Sequence, residues 1–170
     1  GRRPEAEDAG LGVLAGGNAQ AWGQANPVLA VMGRRTVEAG RAGGGARLKV
    51  VIKGSMGAGL TALAEAVAYG LAAGLERDML FGALDEMAVI SPHHKRKLRM
   101  AQAGDFSPQF PARLMQKDMR LLMDAAAREA VPAPTLAAAT QQLSLARRAA
   151  ADSDYAALIG IMENIAANDA

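Results

Sequence analysis

Lysines, placed beside one another or beside a carboxylate, are the residues of this sequence most able to carry chemistry. Lys49 and Lys53 are four residues apart, a spacing that puts two side chains on one face of a helix. A neighbouring cation disfavours protonation of a lysine amine, which would prepare Lys49 to exchange a proton. A single lysine at a helix start, taken alone, is more often a solvated surface charge. The residues by themselves leave both interpretations open.

Lys117 and Asp118 form a second candidate pair. Lys117 belongs to a polar stripe whose members are 4, 3, 4 and 4 residues apart. This spacing is typical of a solvated helix face. Asp118 instead shares a face with apolar residues, where a carboxylate needs a partner or a functional reason. The stripe comprises Arg113, Lys117, Arg120, Asp124 and Arg128, and the apolar face comprises Leu114, Leu121, Leu122 and Ala125.

A basic cluster, His93–Lys97 together with Arg99, is the third candidate. Adjacent histidines on a helix point about 100° apart and cannot easily chelate one metal. The sequence has no cysteine, so we predict no metal site. The net charge is only +2 and no aromatic residues are interleaved with the cluster, so we predict no nucleic-acid partner. The cluster is interpreted as a solvated helix.

The chain that must position these residues has two parts with different sequence patterns. Residues 10–17 and 35–39 are predicted strands on either side of a helix capped by Asn18, and residues 41–45 form a glycine-rich hinge. Beyond the hinge, helical spacing recurs up to residue 167 and no convincing strand is found. We therefore predict a mainly α protein, a multi-helix bundle with one long helix, preceded by a short α/β segment. The predicted boundaries are 1–42 and 43–170.

A phosphate-binding loop is the competing interpretation of residues 48–61. Residues 48–52 could be a strand, and Gly54–Thr61 has the glycines of such a loop. Leu60, however, stands where the loop requires a lysine to reach the terminal phosphates. We favour a long helix over residues 46–74, whose glycines allow another helix to approach closely.

Four motifs in order resemble the β-hydroxyacid dehydrogenase family. Its interdomain Gly-x-Gly-x-x-x-Lys signature is similar to Gly43–Lys49, and its Ala-Glu-Ala segment to Ala64–Ala66. Its Phe-x6-Lys-Asp signature is similar to Phe110–Asp118, and Pro132 and Pro134 match a later Pro-x-Pro. The family includes 3-hydroxyisobutyrate dehydrogenase and tartronate semialdehyde reductase. Its helical domain resembles the C-terminal domain of 6-phosphogluconate dehydrogenase.

This resemblance implies a particular domain organisation. Residues 1–42 would be the C-terminal edge of a truncated Rossmann NAD(P)-binding domain, and residues 43–170 an all-helical substrate and dimerisation domain. Residues 46–74 would be the long interdomain helix. The three-glycine Gly-x-Gly-x-x-Gly turn does not occur in the sequence, nor does the family's Ser-Gly-Gly substrate loop. The resemblance therefore implies that most of the nucleotide-binding domain is missing from this chain.

The resemblance also implies an activity and roles for individual residues. The family transfers hydride between NAD or NADP and a short β-hydroxyacid or the matching semialdehyde. Lys49 would relay the proton that accompanies hydride transfer. Gly45, Lys53 and Phe110 would bind the substrate. Lys117 would contact the cofactor near the nicotinamide, while Asp118 holds its helix in place.

Lys53 departs from the family, which usually carries an asparagine at this position. It could disfavour protonation of Lys49, bind a substrate carboxylate more strongly, or mark an inactive relative.

Two other functions stay open: a non-catalytic helical dimerisation module, and an imine-reductase-like enzyme, against which Lys49 argues. We expect a cytoplasmic homodimer, formed through the helical domain, with no membrane partner.

Overall fold

The computed structural model describes residues 7–168 and divides the chain into two compact units, Gly1–Ile52 and Lys53–Ala170. The first six residues of the predicted segment 1–42 lie outside the described residues. The two units are described separately below.

The first unit is a small parallel β-α-β arrangement. Strand β1 (Gly12–Ala15) pairs with strand β2 (Arg35–Glu38), with Gly12 opposite Arg35 and Ala15 opposite Glu38. Helix α1 (Ala19–Met32) connects them, and the Asn18 side chain accepts a 2.8 Å hydrogen bond from the Ala21 backbone N–H. This confirms the predicted strand–helix–strand order and the Asn18 cap.

Helix α2 (Gly44–Ala72) begins in the first unit and continues into the second. Gly43 precedes it with a φ of +87°, a left-handed conformation that favours glycine. Gly45 lies against the backbone of β1, where a Cβ atom would overlap the Leu14 carbonyl oxygen. The favoured long helix is therefore confirmed, and the strand of a phosphate-binding loop is absent. Leu60 is fully buried, so the position that such a loop would give to lysine contributes to the core.

The second unit is a helical bundle, as predicted. Its core is built mainly from small and aliphatic side chains, with few aromatic ones. Fully buried members from α2 and the later helices include Leu60, Val67, Phe81, Met115, Met119, Leu143, Leu158 and Ile159. After α2 the helices are α3 (Arg77–Glu86), α4 (Pro92–Gln102), α5 (Ala112–Arg128), α6 (Pro134–Ala150) and α7 (Ala157–Asn168). The prediction of a mainly α bundle with one long helix is confirmed.

Helical spacing predicts a last helix over residues 153–167, but α7 begins four residues later, at Ala157. Residues 153–156 form a turn in which the Asp154 N–H donates to the Phe106 carbonyl at 2.9 Å and the Tyr155 N–H donates to the Phe110 carbonyl at 3.1 Å. Asp154 also forms an isolated antiparallel bridge with Pro111. This turn therefore ties the start of α7 to the loop that precedes α5.

Helix α2 is long and apolar enough to cross a membrane, judged by length and composition alone. Its most apolar 18-residue window has a mean hydropathy of 1.3, and 39% of that window is buried within the protein. Leu60, Leu63 and Val67 on this helix belong to the bundle core. The core helix of a bundle has the same length and composition, and the absence of a membrane partner stays a prediction.

Three glycines of α2 accommodate neighbouring side chains. A Cβ atom at Gly54 would overlap Leu122, one at Gly57 would lie 2.6 Å from Met119 Sδ, and one at Gly59 would overlap the His94 ring. These contacts show the close helix approach that the sequence predicted for this region.

We expect Gly59→Ala to lower the free energy of unfolding by about 1–3 kcal/mol, because the added methyl group must displace a fixed ring. His94 Nε2 donates to the Met56 carbonyl at 3.0 Å, and its Nδ1 lies 2.9 Å from Ser91 Oγ. The control is Gly82→Ala in α3, where a Cβ meets open space and should stabilise by about 0.5–1 kcal/mol. Urea unfolding measures both, and equal changes would contradict the prediction.

Candidate functional site

Asp154 organises one end of the helical unit. Its carboxylate and Lys97 are both fully buried, and Lys97 Nζ lies 2.8 Å from Oδ1 and 2.9 Å from Oδ2. Backbone N–H groups of Gln109 and Phe110 donate to Oδ2 at 3.1 and 2.9 Å, and that of Ala156 donates to Oδ1 at 2.9 Å. A buried carboxylate is stable only with such a full set of donors. Asp154 thereby fixes the backbone on which Phe110 is carried.

Tyr155 and His93 extend this arrangement from the turn to α4. His93 Nε2 forms a short hydrogen bond with the Tyr155 hydroxyl, and Arg96 Nη2 lies 3.1 Å from His93 Nδ1. Because a guanidinium can only donate, Nδ1 must accept and the proton of the neutral ring must be on Nε2. Burial, followed by the charge of Asp154, raises the pKa of Tyr155 above its usual value. Tyr155 is therefore a neutral phenol at pH 7.

Phe110 lies between Tyr155 and Lys53. Its ring packs edge-on against Tyr155 with the ring centroids 6.3 Å apart, and Lys53 Nζ lies 3.5 Å from its centroid. An ammonium group at this distance interacts favourably with the aromatic face. The structure thus brings together two of the predicted substrate-binding residues, Lys53 and Phe110.

The basic cluster is not the solvated helix that the sequence predicted. Lys97 is buried against Asp154, His93 is half-buried against Tyr155, and His94 packs on α2. Arg99 fits the expectation, since it is exposed and pairs with Asp85 at 2.8 Å. The prediction is wrong for His93, His94 and Lys97, because their partners lie 38 to 62 residues away in sequence.

We expect His93 to stay neutral down to acidic pH. Burial, with the nearby cations His94, Lys97, Arg96 and Lys53, lowers its pKa from 6.5 to about 4. The unfolded chain binds this proton near pH 6.5, so the stabilising contribution is present above that pH and is lost as pH falls towards 4. An NMR titration of the imidazole checks the pKa, and His93→Gln should flatten the stability profile between pH 6.5 and 4. A profile of unchanged slope in the variant would contradict the prediction.

The remaining predicted site residues lie elsewhere on the two units. Lys117 and Asp118 form an ion pair of 2.8 Å on α5, with Lys117 about half exposed and Asp118 buried. This pairing supplies the partner that a carboxylate on an apolar face requires. In the first unit, Lys49 is exposed on α2 and Gly45 is buried where α2 begins.

The sequence did not point to Asp154 and Tyr155 as functional candidates, and it assigned Lys97 to a solvated helix. The signal in the sequence was an aspartate directly before an apolar helix, since a carboxylate that becomes buried there requires a cation. Among residues 7–168, no group of three histidine, aspartate or glutamate side chains is arranged to hold a metal ion.

The fold and these residues define a class of protein. Its features are a long helix that contains several glycines and an exposed lysine near its start, followed by a helical bundle. Residues 43–162 match the family described as the NAD-binding domain of NADP-dependent 3-hydroxyisobutyrate dehydrogenase. The chain belongs to this family. Its cofactor class is NAD or NADP, as the resemblance implied.

Individual relatives agree with this assignment. The chain is 32% identical to glyoxylate/succinic semialdehyde reductase 1 of Arabidopsis thaliana, over 94% of this chain and 55% of the relative. It is 34% identical to 3-sulfolactaldehyde reductase of Escherichia coli, over 81% of this chain and 46% of the relative. The structure of Mycobacterium tuberculosis 3-hydroxyisobutyrate dehydrogenase with L-serine superposes with a TM-score of 0.84 at 27% identity, covering 94% of this chain and 57% of the other. The chain spans about half the length of the curated relatives it matches.

Proposed function

We propose that this chain is the C-terminal part of an NAD(P)-dependent oxidoreductase acting on a short β-hydroxyacid or the matching semialdehyde. The family match over residues 43–162, which begins directly before α2 and its Lys49, carries the proposal. Residues 1–42 are assigned to the edge of a nucleotide-binding domain and residues 43–170 to the helical domain. The β-α-β arrangement of the first unit supports this division.

Lys49 is assigned as the proton relay. Hydride transfer from a secondary alcohol requires the hydroxyl proton to leave, and a positioned amine can accept it. Lys49 lies near the N-terminal end of α2, beside the turn at Gly43–Gly45 that the family signature includes. Gly45 has no side chain, so the start of the helix can approach the β1 backbone closely.

Lys53 and Phe110 are assigned to substrate binding. Lys53 Nζ lies over the Phe110 ring, which places a positive charge on an apolar wall. This geometry favours the interpretation in which Lys53 binds a carboxylate over the one in which its position has drifted in an inactive relative. A cation desolvated on one side by an aromatic ring interacts strongly with an oxoanion.

The described residues fit only part of a cofactor site. When bound, the nicotinamide nucleotide supplies or accepts the hydride. Lys117 is an exposed cation able to contact the nucleotide. Asp118, on the buried face of α5, orients the Lys117 amine through an ion pair in which Nζ lies 2.8 Å from Oδ1. The three-glycine phosphate turn does not occur in the sequence.

The test is a steady-state assay in the protein that joins these residues to a nucleotide-binding half, with NADPH and short semialdehydes. Lys117→Ala should raise the KM for NADPH several-fold. Arg113→Ala, one turn earlier on α5 and also paired with a carboxylate, should leave that KM unchanged. A folded protein that fails to oxidise NADPH with every short semialdehyde tested would overturn the proposal.

A second candidate function is a non-catalytic dimerisation module, which one surface favours. Large apolar side chains between residues 69 and 89 are exposed, namely Tyr69, Leu75, Met79, Met87 and Val89. Several large apolar side chains exposed in one stretch of the chain are typical of an interface where they form a patch. Light scattering should show a homodimer that Val89→Lys weakens. A dimer that forms while no nucleotide binds would favour the module over the enzyme.

A further inference from the structure

His93 and His94 lie in the first turn of α4 and contact two different elements of the second unit. The His94 ring packs on α2, where its Nε2 lies 3.0 Å from the Met56 carbonyl oxygen and Gly59 leaves room for it. His93 instead forms a hydrogen bond with the Tyr155 hydroxyl, in the turn before α7. The two imidazole rings contact each other edge-on, with their centroids 5.3 Å apart. The start of α4 therefore connects α2 to the turn before α7.

The two connected elements hold the two side chains assigned to substrate binding. Lys53 lies on α2, three residues and less than one helical turn before Met56. Phe110 precedes α5, and its carbonyl accepts a 3.1 Å hydrogen bond from the Tyr155 N–H. The Phe110 ring also packs edge-on against the Tyr155 ring, with the centroids 6.3 Å apart. Each histidine is thus bonded to a direct neighbour of one of these side chains.

The contact between Lys53 and Phe110 depends on the separation of these two elements. Lys53 Nζ lies 3.5 Å from the Phe110 centroid, and the attraction weakens as an ammonium group leaves the ring face. A lysine side chain has many rotamers, so this contact is a weak means of holding two elements together. The rings of His93, His94 and Tyr155 form a stiffer connection, because each turns about only two side-chain torsions.

We propose that His93 and His94 are positioning residues that hold Lys53 and Phe110 in the arrangement that binds the substrate. They act through the elements that they connect, without touching the substrate themselves. The role in substrate binding rests on the proposed function, while the arrangement itself lies within the second unit. Displacing a binding group by about 1 Å is enough to weaken a site, so loss of either ring should impair substrate binding.

The Lys53 side chain reports this arrangement without any activity. Protons held over an aromatic face resonate upfield, so the Lys53 ε-methylene signal of the 170-residue chain should lie upfield of the ordinary lysine range. His93→Ala should return this NMR signal to the ordinary range, because the Tyr155 hydroxyl loses its partner. His93→Gln should preserve the upfield signal, since its amide can donate in place of the imidazole. Tyr155→Phe removes the same hydrogen bond and replaces His93→Ala if that variant is unfolded.

Steady-state kinetics test the consequence in the protein that includes a nucleotide-binding half. His93→Ala and His94→Ala should each raise the KM for the semialdehyde at least several-fold, while the KM for NADPH stays unchanged. His93→Gln should restore the semialdehyde KM. Arg99→Gln, on the same helix and paired with Asp85, is the control and should change neither KM.

An upfield Lys53 signal that persists in both His93→Ala and Tyr155→Phe would overturn the proposal, and so would an unchanged semialdehyde KM in the folded variants. A loss of stability alone, with signal and KM unchanged, would show that the histidines only support the fold. A joined protein that reduces no short semialdehyde would instead overturn the proposed function. The NMR comparison would then still decide whether the two histidines position Lys53 and Phe110.

Discussion

Asp154→Ala is expected to lower the free energy of unfolding by about 3–5 kcal/mol, the usual cost of removing one partner from a buried ion pair. The substitution leaves the Lys97 ammonium buried without its carboxylate, which lies 2.8 Å away in the native protein. It also removes the acceptor of three backbone N–H groups, including that of Phe110. Urea unfolding followed by circular dichroism measures the change.

Asp152→Ala is the matched control for this prediction. Asp152 is two residues away and also pairs with a cation, Arg113, at 2.7 Å, but its side chain is 85% exposed. Exposed pairs contribute about 0–1 kcal/mol, so the control should unfold almost as the native chain does. Asp154→Asn keeps an acceptor oxygen and should fall between the two. If Asp154→Ala and Asp152→Ala lower the free energy of unfolding equally, the buried pair stabilises the protein no more than the exposed pair, and the prediction is wrong.

Lys49→Met should reduce kcat by about 10²–10⁴-fold, the usual contribution of a positioned acid or base. This prediction rests on the proposed function and is measured in the protein that includes a nucleotide-binding half. Methionine keeps the length of the side chain but cannot exchange a proton. The KM for NADPH should change little, because Lys49 is assigned to the proton and not to the cofactor.

Lys49→Arg distinguishes proton relay from charge. Arginine keeps the positive charge but stays protonated in proteins, so it should lose nearly as much activity as methionine does. Arg47→Met, two residues earlier on the exposed part of α2, should retain activity. Full activity in Lys49→Arg would show that Lys49 acts through its charge alone.

Much of the fold was predictable from local patterns. Asn18 predicted the cap of α1, and the glycines of residues 43–59 indicated a turn followed by a closely packed helix. Leu60 decided between a helix and a phosphate loop, because an apolar residue cannot replace the loop's lysine. These features depend on residues a few positions apart, and sequence patterns predict local structure over that range.

The arrangement around His93 was not predictable in the same way. The sequence spacing of His93 and Lys97 fits a solvated helix equally well, because their partners, Tyr155 and Asp154, are contributed by a distant turn. Lys53 and Phe110 were named from the family resemblance, but their stacking depends on the fold. Only the assembled bundle shows which charges are buried together.

The glycines of α2 also bear on how the protein is made. During synthesis α2 leaves the ribosome before α4 and α5, whose side chains His94, Met119 and Leu122 fill the spaces at Gly59, Gly57 and Gly54. Until then its apolar surface has no partner, and such nascent segments are prone to aggregate. We expect nascent chains that end shortly after α2 to be captured by chaperones, and to be released once α5 has emerged.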